Sequence, residues 1–428
     1  MRLRLLILPL ALSVALTLAL GLASGLGHAA ASPSTAPKQL VFWTMQLAPF
    51  HNDYVNGLIT RFEAAHPGVR VKWVDVPWAE MERKVLASIA AGTAPDLVNL
   101  NPQFSSRLAE LGALADPRPH LNAAEIGAFL PPAWAANQLG GVPFALPWYL
   151  STTVLLYRRD LLAQAGVAPP RSYAELRSVA QAIRERTGGY AWFPAMDGAA
   201  PLEAMVSMNG ALLTPDGCRP AFDNAAGAAV FDFYRELYQR QWIPPSVLTE
   251  GHRSAVSQFL SGQVAMVSTG MQFIGQVKKS NPQLYAQIGV APQIDGPLAK
   301  PNIAAMNVAV PSASREPALA FRFAVFVTNA ENQTELARRV PLLPSSRASY
   351  DDPLFTVPSG DALLDEARAL SVKQVNNGMV QVPPLRRYHK LRISFVRQMQ
   401  SAMVGRVTPA QAVQEITRIW VPLLGCAP

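Results

Sequence analysis

The 428-residue chain has few charged residues, only two cysteines, and no long apolar run after its first 31 residues. Charged residues make up 15% of the chain and hydrophobic residues 50%, whereas soluble domains average about 25% charged residues. This composition excludes disorder driven by charge. The formal charge of +8 is spread along the chain with no Lys/Arg cluster larger than a pair, so the sequence does not predict a nucleic-acid-binding surface.

Short catalytic and metal-binding motifs are also missing. The sequence has no G-x-S-x-G, no G-x-x-x-x-G-K-[ST] and no H-E-x-x-H, and no two of its six histidines are three or four residues apart. We therefore predict neither a metal ion nor a cofactor. The missing motifs do not exclude a glycosidase, because its two catalytic carboxylates come together only in the folded protein and leave no short motif.

The N-terminus has the pattern of an export signal. Arg2 and Arg4 precede an apolar stretch over residues 5–23, and the small residues up to Ala31 form a processing site. We predict cleavage after Ala31 and release into the periplasm, since no cysteine near this junction could carry a lipid. The alternative is an uncleaved membrane anchor, because 19 apolar residues nearly span a bilayer.

Cys218 and Cys426 are the two cysteines of the chain. In an oxidising compartment they either form one disulfide that closes a long loop or remain two separate thiols. The sequence gives no distance between them, so both alternatives stay open.

Strands and helices alternate along the chain. A strand at Leu40 to Met45 is followed by a helical pattern over residues 54–62, an alternating strand over 69–73, a second helix and a short strand over 97–100. This order predicts an α/β fold with a parallel sheet and helices on both faces. The residues that follow the first and third strands should therefore meet at one edge of the sheet, where such folds bind ligands.

Two later segments predict helix starts. Ser172-Tyr-Ala-Glu175 and Thr408-Pro409-Ala-Gln411 both have the spacing of a capping box, and the second also has proline at the first helical position. The α/β alternation therefore continues through the second half of the chain, which ends in a helix.

Several short segments, in order along the chain, resemble those of a known family. They are Leu40-Val-Phe-Trp-Thr44, Gly92-Thr-Ala-Pro-Asp-Leu97, Leu111-Gly-Ala-Leu-Ala-Asp116, Gly141-Val-Pro-Phe-Ala145, Leu156-Tyr-Arg-Arg-Asp160, Phe259-Leu-Ser-Gly-Gln-Val-Ala-Met266 and Pro344-Ser-Ser-Arg347. The chain resembles the family-1 extracellular solute-binding proteins of carbohydrate ABC importers, the maltose-binding-protein-like group. The resemblance spans essentially all of the chain that follows the export signal.

This resemblance implies a two-lobe periplasmic-binding-protein fold with discontinuous lobes, hinge crossovers between them and a cleft that encloses the solute. The implied partners are a sugar and the permease subunits of an ABC importer, and the protein is expected to be a monomer that binds no nucleic acid. The expected division is a signal peptide over 1–31, a flexible tail over 32–39, the first lobe over 40–149 and 299–345, and the second lobe over 150–298 and 346–428.

The resemblance and the strand ends together indicate the solute contacts. A sugar presents hydroxyl groups and apolar C–H faces, so its site needs hydrogen-bonding amides and aromatic surfaces. Trp148 and Tyr149 are the main candidates for stacking. The full expected set is Trp43, Thr44, Met45, Gln46, Asn101, Gln103, Trp148, Tyr149, Phe193, Met271, Gln272, Phe273, Asn307 and Tyr388.

Two alternatives to a neutral sugar remain. Arg386 and Arg387 could clamp an anionic solute such as glycerol phosphate, a sugar phosphate or a uronate. A secreted carbohydrate-active enzyme would instead need two carboxylates facing each other in the cleft. Because the expected contact set contains no carboxylate, the sequence favours a binding protein without catalytic activity.

Overall fold

A computed structural model describes residues 37–425. The expected signal peptide and Cys426 lie outside these residues, so the state of the two cysteines and the cleavage site remain predictions. Within the described part of the chain, no helix combines the length and the apolar character that crossing a membrane requires.

The described residues form strands and helices in alternation. The strands are β1 (Lys38–Met45), β2 (Val69–Val76), β3 (Leu97–Leu100), β4 (Gln138–Leu139), β5 (Val142–Pro143), β6 (Leu146–Arg158), β7 (Tyr190–Trp192), β8 (Val264–Gly270), β9 (Ile288–Ala291), β10 (Ile303–Ala309) and β11 (Leu343–Pro344). The helices are α1 (Asn52–Ala65), α2 (Trp78–Ala90), α3 (Pro102–Glu110), α4 (Ala123–Gly127), α5 (Pro131–Ala135), α6 (Arg159–Ala165), α7 (Tyr173–Thr187), α8 (Ala200–Asn209), α9 (Ala225–Gln239), α10 (His252–Leu260), α11 (Gln272–Ser280), α12 (Pro282–Gln287), α13 (Pro317–Val327), α14 (Ala330–Arg339), α15 (Ala362–Asn377), α16 (Tyr388–Met403) and α17 (Pro409–Leu424). Short 3₁₀ helices cover Arg118–His120, Pro245–Leu248, Ala348–Asp351 and Pro353–Phe355.

The first three strands confirm the predicted β-α-β order. β1 pairs in parallel with β2 on one side and with β3 on the other, where Phe42 lies opposite Leu97. The carboxyl ends of β1 and β3 therefore meet at one edge of the sheet, as the sequence predicts. The predicted parallel pairing holds for β1, β2 and β3, and the sheet continues as a mixed one, because β10 returns from a distant part of the chain and runs antiparallel to β3 and β6.

Strand β6 takes part in two groups of strands. From Leu146 to Thr152 it pairs with β10, and from Thr153 to Tyr157 it pairs with β8. The strand is 13 residues long, which is longer than the usual 3–10 residues and lets it serve both groups. The chain thus passes from one group to the other without leaving the sheet.

The buried apolar residues gather on the two sides of this point. Two clusters that include Phe42, Phe62 and Met81 belong to residues 40–148 and 308–340, and we call this part the first lobe. A larger cluster that includes Phe231 and Trp420 draws mainly on residues 150–294 and 363–420, which we call the second lobe. Each lobe has its own core, and β6 and β10 connect them.

One of the two predicted capping boxes is complete. Thr408 and Gln411 exchange both hydrogen bonds at the start of α17. At the start of α7, Ser172 accepts from the backbone N–H of Glu175, but the Glu175 carboxylate accepts from the N–H of Arg171 instead of Ser172. The predicted box is therefore half formed, although the helix begins where it is expected.

Candidate functional site

A cavity of about 370 Å³ lies where the two lobes meet, beside the switch in pairing along β6. Most of its wall belongs to the second lobe, and Gln103 at the start of α3 comes from the first. The described lining residues are Gln103, Ser151, Thr152, Thr153, Tyr173, Trp192, Phe193, Pro194, Ala195, Asp197, Gly198, Ala199, Ala200, Glu203, Ala204, Tyr234, His252, Ser268, Thr269, Gly270, Gln272, Gln293, Ile294, Asn302, Ala304 and Gln381. Aromatic, amide and hydroxyl groups dominate this set, and it contains no lysine or arginine.

One wall of the cavity is aromatic. Trp192 and Phe193 follow each other at the end of β7, and Tyr173 and Tyr234 lie beside Trp192 with ring centroids 6.5 and 6.4 Å from it. The indole N–H of Trp192 donates to the hydroxyl of Ser268 at 3.2 Å, which fixes the ring. Burial raises the pKa of both tyrosines, so their hydroxyl groups keep their protons and can donate hydrogen bonds.

His252 and Asp197 form a second part of the wall. The imidazole Nε2 of His252 lies 3.2 Å from the hydroxyl of Thr269, and its backbone N–H donates to Asp197 at 3.0 Å. Desolvation lowers the pKa of His252 more than the nearby Asp197 raises it, so the imidazole is neutral near pH 7. The carboxylate of Asp197 thus holds the start of α10.

Glu203 brings a second carboxylate into the cavity from the first turn of α8. It is half-buried, and desolvation raises the pKa of its carboxyl group to about 7, although a hydrogen bond with the side chain of Asn302 opposes this shift. Asn302 also accepts a hydrogen bond from the backbone N–H of Gln381 at 3.1 Å. Asn302 therefore connects the carboxyl group of Glu203 to the backbone of Gln381.

Residues of β6 line the cavity, and a side chain from α15 hydrogen-bonds to them. The side chain of Gln374 donates to the hydroxyl of Thr152 at 2.7 Å and to the carbonyl oxygen of Thr153 at 2.8 Å. These are the two residues at which β6 changes its partner. The side-chain Oε1 of Gln374 accepts from the backbone N–H of Gln293, so this one side chain joins β6 to the segment that follows β9.

A wider cavity of about 770 Å³ opens between α3 of the first lobe and α16 of the second. Gln103 lines this cavity too, and its side chain hydrogen-bonds with the phenol of Tyr388 on the opposite side. The carboxylate of Glu110 accepts the backbone N–H of Arg387, with both oxygens 3.0 Å from the nitrogen. The two lobes thus touch through side chains as well as through their connecting strands.

The structure brings some of the predicted contact residues together. Gln103, Phe193 and Gln272 line the cavity beside β6. The side chain of Gln272 lies over the end of β8 because Gly270 leaves room for it: a Cβ at Gly270 would lie 2.0 Å from the side-chain Oε1 of Gln272. Tyr388 joins Gln103 in a smaller neighbouring cavity, and Asn101 lines the wider one while its side chain caps α3.

The other predicted contact residues do not line these cavities, and several of them make hydrogen bonds or packing contacts within the fold instead. Thr44 donates to Asp75 at 2.6 Å and accepts from the indole of Trp73, while the same Asp75 accepts the backbone N–H groups of Leu47 and Ala48. This network fixes the loop after β1, where Gln46 is exposed with a positive φ of 54°. The remaining residues that line none of the three cavities are Trp43, Met45, Trp148, Tyr149, Met271, Phe273 and Asn307.

Trp148 illustrates why position along the chain misleads here. The sequence places it at a crossover, yet its side chain is fully buried in the first lobe, against Phe42 and Tyr149. Asn307 is likewise buried, and its amide donates to the hydroxyl of Ser105 between β10 and α3. Both residues lie at the boundary between the lobes but face the core of the first.

The expectation that the cleft lacks carboxylates is wrong, since Asp197 and Glu203 both line the cavity. Sequence reasoning missed them, together with Tyr173, Trp192 and His252, because they lie on separate elements of the second lobe. Of these residues, only Trp192 could have been expected at the site from the sequence, because it directly precedes the predicted contact residue Phe193. Arg387 is occupied elsewhere, because its guanidinium donates to the carbonyl oxygen of Leu423 at 2.7 Å.

The chain is similar to known solute-binding proteins. The family model described as bacterial extracellular solute-binding protein matches residues 49–334. Curated relatives include a Brucella abortus protein described as a putative binding protein, 24% identical over 54% of this chain and 57% of its own length. Another is a probable ABC transporter-binding protein of Deinococcus radiodurans, 27% identical over 59% of this chain and 63% of its own length. The chain thus spans less than two thirds of both relatives.

A solved structure covers more of the chain. It is described as a putative oligosaccharide periplasmic-binding protein from Synechococcus sp. MITs9220 in complex with zinc. It is 36% identical to this chain, covers 89% of it and 98% of its own chain, and superimposes with a TM-score of 0.84. Among residues 37–425 of the present protein, no group of three or more His, Cys, Asp or Glu side chains is arranged to hold a metal ion.

Proposed function

The chain belongs to the bacterial extracellular solute-binding proteins, and we propose that it captures a sugar in the cleft between its lobes and delivers it to an ABC importer. The observation that carries this proposal is the cavity beside β6, which combines an aromatic wall with amide and hydroxyl groups. Its volume of about 370 Å³ is in the range of small-molecule sites. The description of the Synechococcus relative as a putative oligosaccharide periplasmic-binding protein supports the same class of solute.

Capture requires the two lobes to move relative to each other. We place the hinge where β6 changes its partner, between Thr152 and Thr153, and retain the lobe boundaries expected from the sequence. Gln103 and Glu110 on α3 contact Tyr388 and Arg387 at the start of α16. These contacts support closure of the lobes, because α3 and α16 belong to different lobes and are far apart along the chain. A closed form differs in outer shape from an open one, so a permease can recognise the loaded protein.

An anionic solute is not favoured. The cavity has two carboxylates and no lysine or arginine among its described lining residues, so it would repel a phosphate or a uronate. The proposed arginine clamp is not assembled, since the Arg387 guanidinium binds backbone carbonyl oxygens at the end of α17.

We also propose that the protein is a monomer without catalytic activity in the periplasm. Asp197 supports the first turn of α10 through the backbone of His252, so we expect Glu203 alone of the two carboxylates to contact the solute. A glycosidase needs two such groups. Export to the periplasm rests on the N-terminal sequence pattern and on the family.

The test is the melting temperature of the purified protein with neutral mono- and disaccharides, maltodextrins, glycerol phosphate and uronates. A ligand at 100 times its Kd adds about 2.7 kcal/mol to the stability of the folded state, which raises Tm by a few degrees. We expect a shift with a non-anionic sugar and unchanged ligand after incubation. A shift confined to the anions, or turnover of a glycan, would contradict the proposal.

A further inference from the structure

Glu203, Asn302 and Gln381 line one part of the cavity, and Gln381 there has a side-chain acceptor without a donor among the described residues. The Gln381 side chain donates its N–H to the carbonyl oxygen of Lys300 at 2.8 Å, which fixes the orientation of the amide. Its Oε1 atom is buried and accepts no hydrogen bond from the described residues, and the residue is only 3% exposed. A buried acceptor without a donor costs stability, so a ligand that donates to it gains affinity.

Glu203 brings a carboxyl group to the same cavity, which Gln381 also lines. Asn302 lies between the two residues, since its side chain hydrogen-bonds with the Glu203 carboxyl group and accepts the backbone N–H of Gln381. The charge of Glu203 acts on the phenols of Tyr173 from α7 and Tyr388 from α16, and Asp197 and His252 line the same cavity. None of these groups supplies a positive charge to Glu203 near pH 7.

A protonated amine fits this surface better than a hydroxyl group. An ammonium group has three donors and no acceptor, whereas a hydroxyl group has one donor. It would satisfy the buried Gln381 oxygen and also neutralise the carboxylate. Charge-assisted hydrogen bonds are stronger than those between neutral groups.

We propose that the cleft selects a sugar that carries a protonated amino group and that Glu203 and Gln381 receive this group. This inference rests on the proposed function, because it specifies which class of sugar the same cavity takes. Glu203 is then the residue that determines specificity, and the aromatic wall formed by Tyr173, Trp192, Phe193 and Tyr234 contacts the sugar ring whatever its substituent.

Matched sugars separate the amino group from the rest of the ligand. Glucosamine, glucose and N-acetylglucosamine, with the corresponding galactose and mannose sets and the β-1,4-linked dimers of the glucose set, are titrated calorimetrically at pH 7. The amine carries its proton at this pH when its pKa is near that of an α-amino group, about 8. We expect the amino form of one set to bind about 10-fold more tightly or better than its hydroxyl and acetamido counterparts.

Three variants assign this preference to Glu203. Glu203→Gln removes the charge and keeps the shape, so it should weaken binding of the amino sugar about 10- to 100-fold and change binding of the neutral sugar about 3-fold or less. Glu203→Asp keeps the charge and should keep a preference for the amino form. Glu236→Gln, a surface carboxylate on α9 paired with Arg177, is the control and should bind like the wild type.

The outcomes distinguish this inference from the proposed function. Tight binding of a neutral sugar with no preference for its amino form would overturn the inference and leave the proposed function intact. An amino-sugar preference that survives in Glu203→Gln would overturn the role of this residue. Failure of every sugar to bind would overturn both proposals.

Discussion

Both carboxylate oxygens of Glu110 lie 3.0 Å from the backbone nitrogen of Arg387, and this contact joins the first lobe to the second. Arg387 has a positive φ of 56° at the start of α16, which directs its N–H out of the helix and toward α3. The acceptor is a side chain and the donor is backbone, so substitution of Glu110 removes the contact while substitution of Arg387 retains the N–H.

Removal of this carboxylate should favour the open arrangement of the lobes. For Glu110→Ala we expect sugar affinity to fall about 2- to 5-fold, since exposed charged contacts contribute roughly 0.5–1 kcal/mol. The radius of gyration of the sugar-free protein, measured by small-angle X-ray scattering, should rise. Glu82→Ala is the control, because Glu82 lines the same cavity but pairs with Arg107 within the first lobe. Equal effects of the two substitutions would contradict a role for Glu110 in closure.

Two tryptophans should have separate effects on binding and stability. Trp192 lines the cavity, so Trp192→Phe should lower sugar affinity about 3- to 10-fold through lost aromatic contact and the lost bond to Ser268. Trp148 is buried in the first lobe, so Trp148→Phe should lower the free energy of unfolding by about 1–3 kcal/mol and leave affinity unchanged. Calorimetric titration and denaturant unfolding measure the two effects. A larger loss of sugar affinity in Trp148→Phe than in Trp192→Phe would contradict the assignment of Trp192 to the sugar site.

The carboxyl group of Glu203 should make stability depend on pH in a definite direction. Its pKa is raised from 4.5 to about 7 in the folded protein, so folding favours the protonated form. Its stabilising contribution is complete below pH 4.5 and is lost as the pH rises through 7. Glu203→Gln cannot lose a proton and should exceed the wild type in stability by about 1–3 kcal/mol at pH 8, with little difference at pH 4.5. Parallel unfolding curves across this range would rule out the raised pKa.

His252 should have the opposite dependence. Burial lowers its pKa below 6.5, so the unfolded chain takes up a proton before the folded protein does. Its contribution to stability is present above pH 6.5 and is lost as the pH falls below that value. The Tm of the wild type should therefore fall relative to that of His252→Gln between about pH 6.5 and 5. A difference in Tm that does not change with pH would contradict this assignment.

The fold of the first lobe could be predicted because its signals are local. Apolar strands such as Leu97–Leu100 and the helical spacing of Tyr54, Val55, Leu58 and Phe62 fix β3 and α1 without reference to distant residues. The antiparallel direction of β10 could not be predicted in this way, since it depends on how far the chain travels before residue 303 and on the side from which it returns.

The candidate site was harder to predict for a related reason. Gln103 could be placed near the cavity from the sequence because it follows β3, whose carboxyl end lies at that edge of the sheet. Glu203 and His252 lie in the first turns of α8 and α10, where an isolated acid or histidine gives no signal, and only the tertiary packing of these helices brings them to the cavity. Trp148 was predicted to contact the solute because it is aromatic and lies near a crossover. Successive side chains of a strand face opposite sides of the sheet, and the Trp148 side chain faces the core of the first lobe.

A crystal structure with the most stabilising sugar bound tests the central claim most directly. We expect electron density for the sugar in the cavity beside β6, with its ring against Trp192 and a substituent within hydrogen-bond distance of Glu203. Density confined to the wider cavity between α3 and α16, next to Arg107 and Arg392, would contradict the assignment of the site and the class of solute.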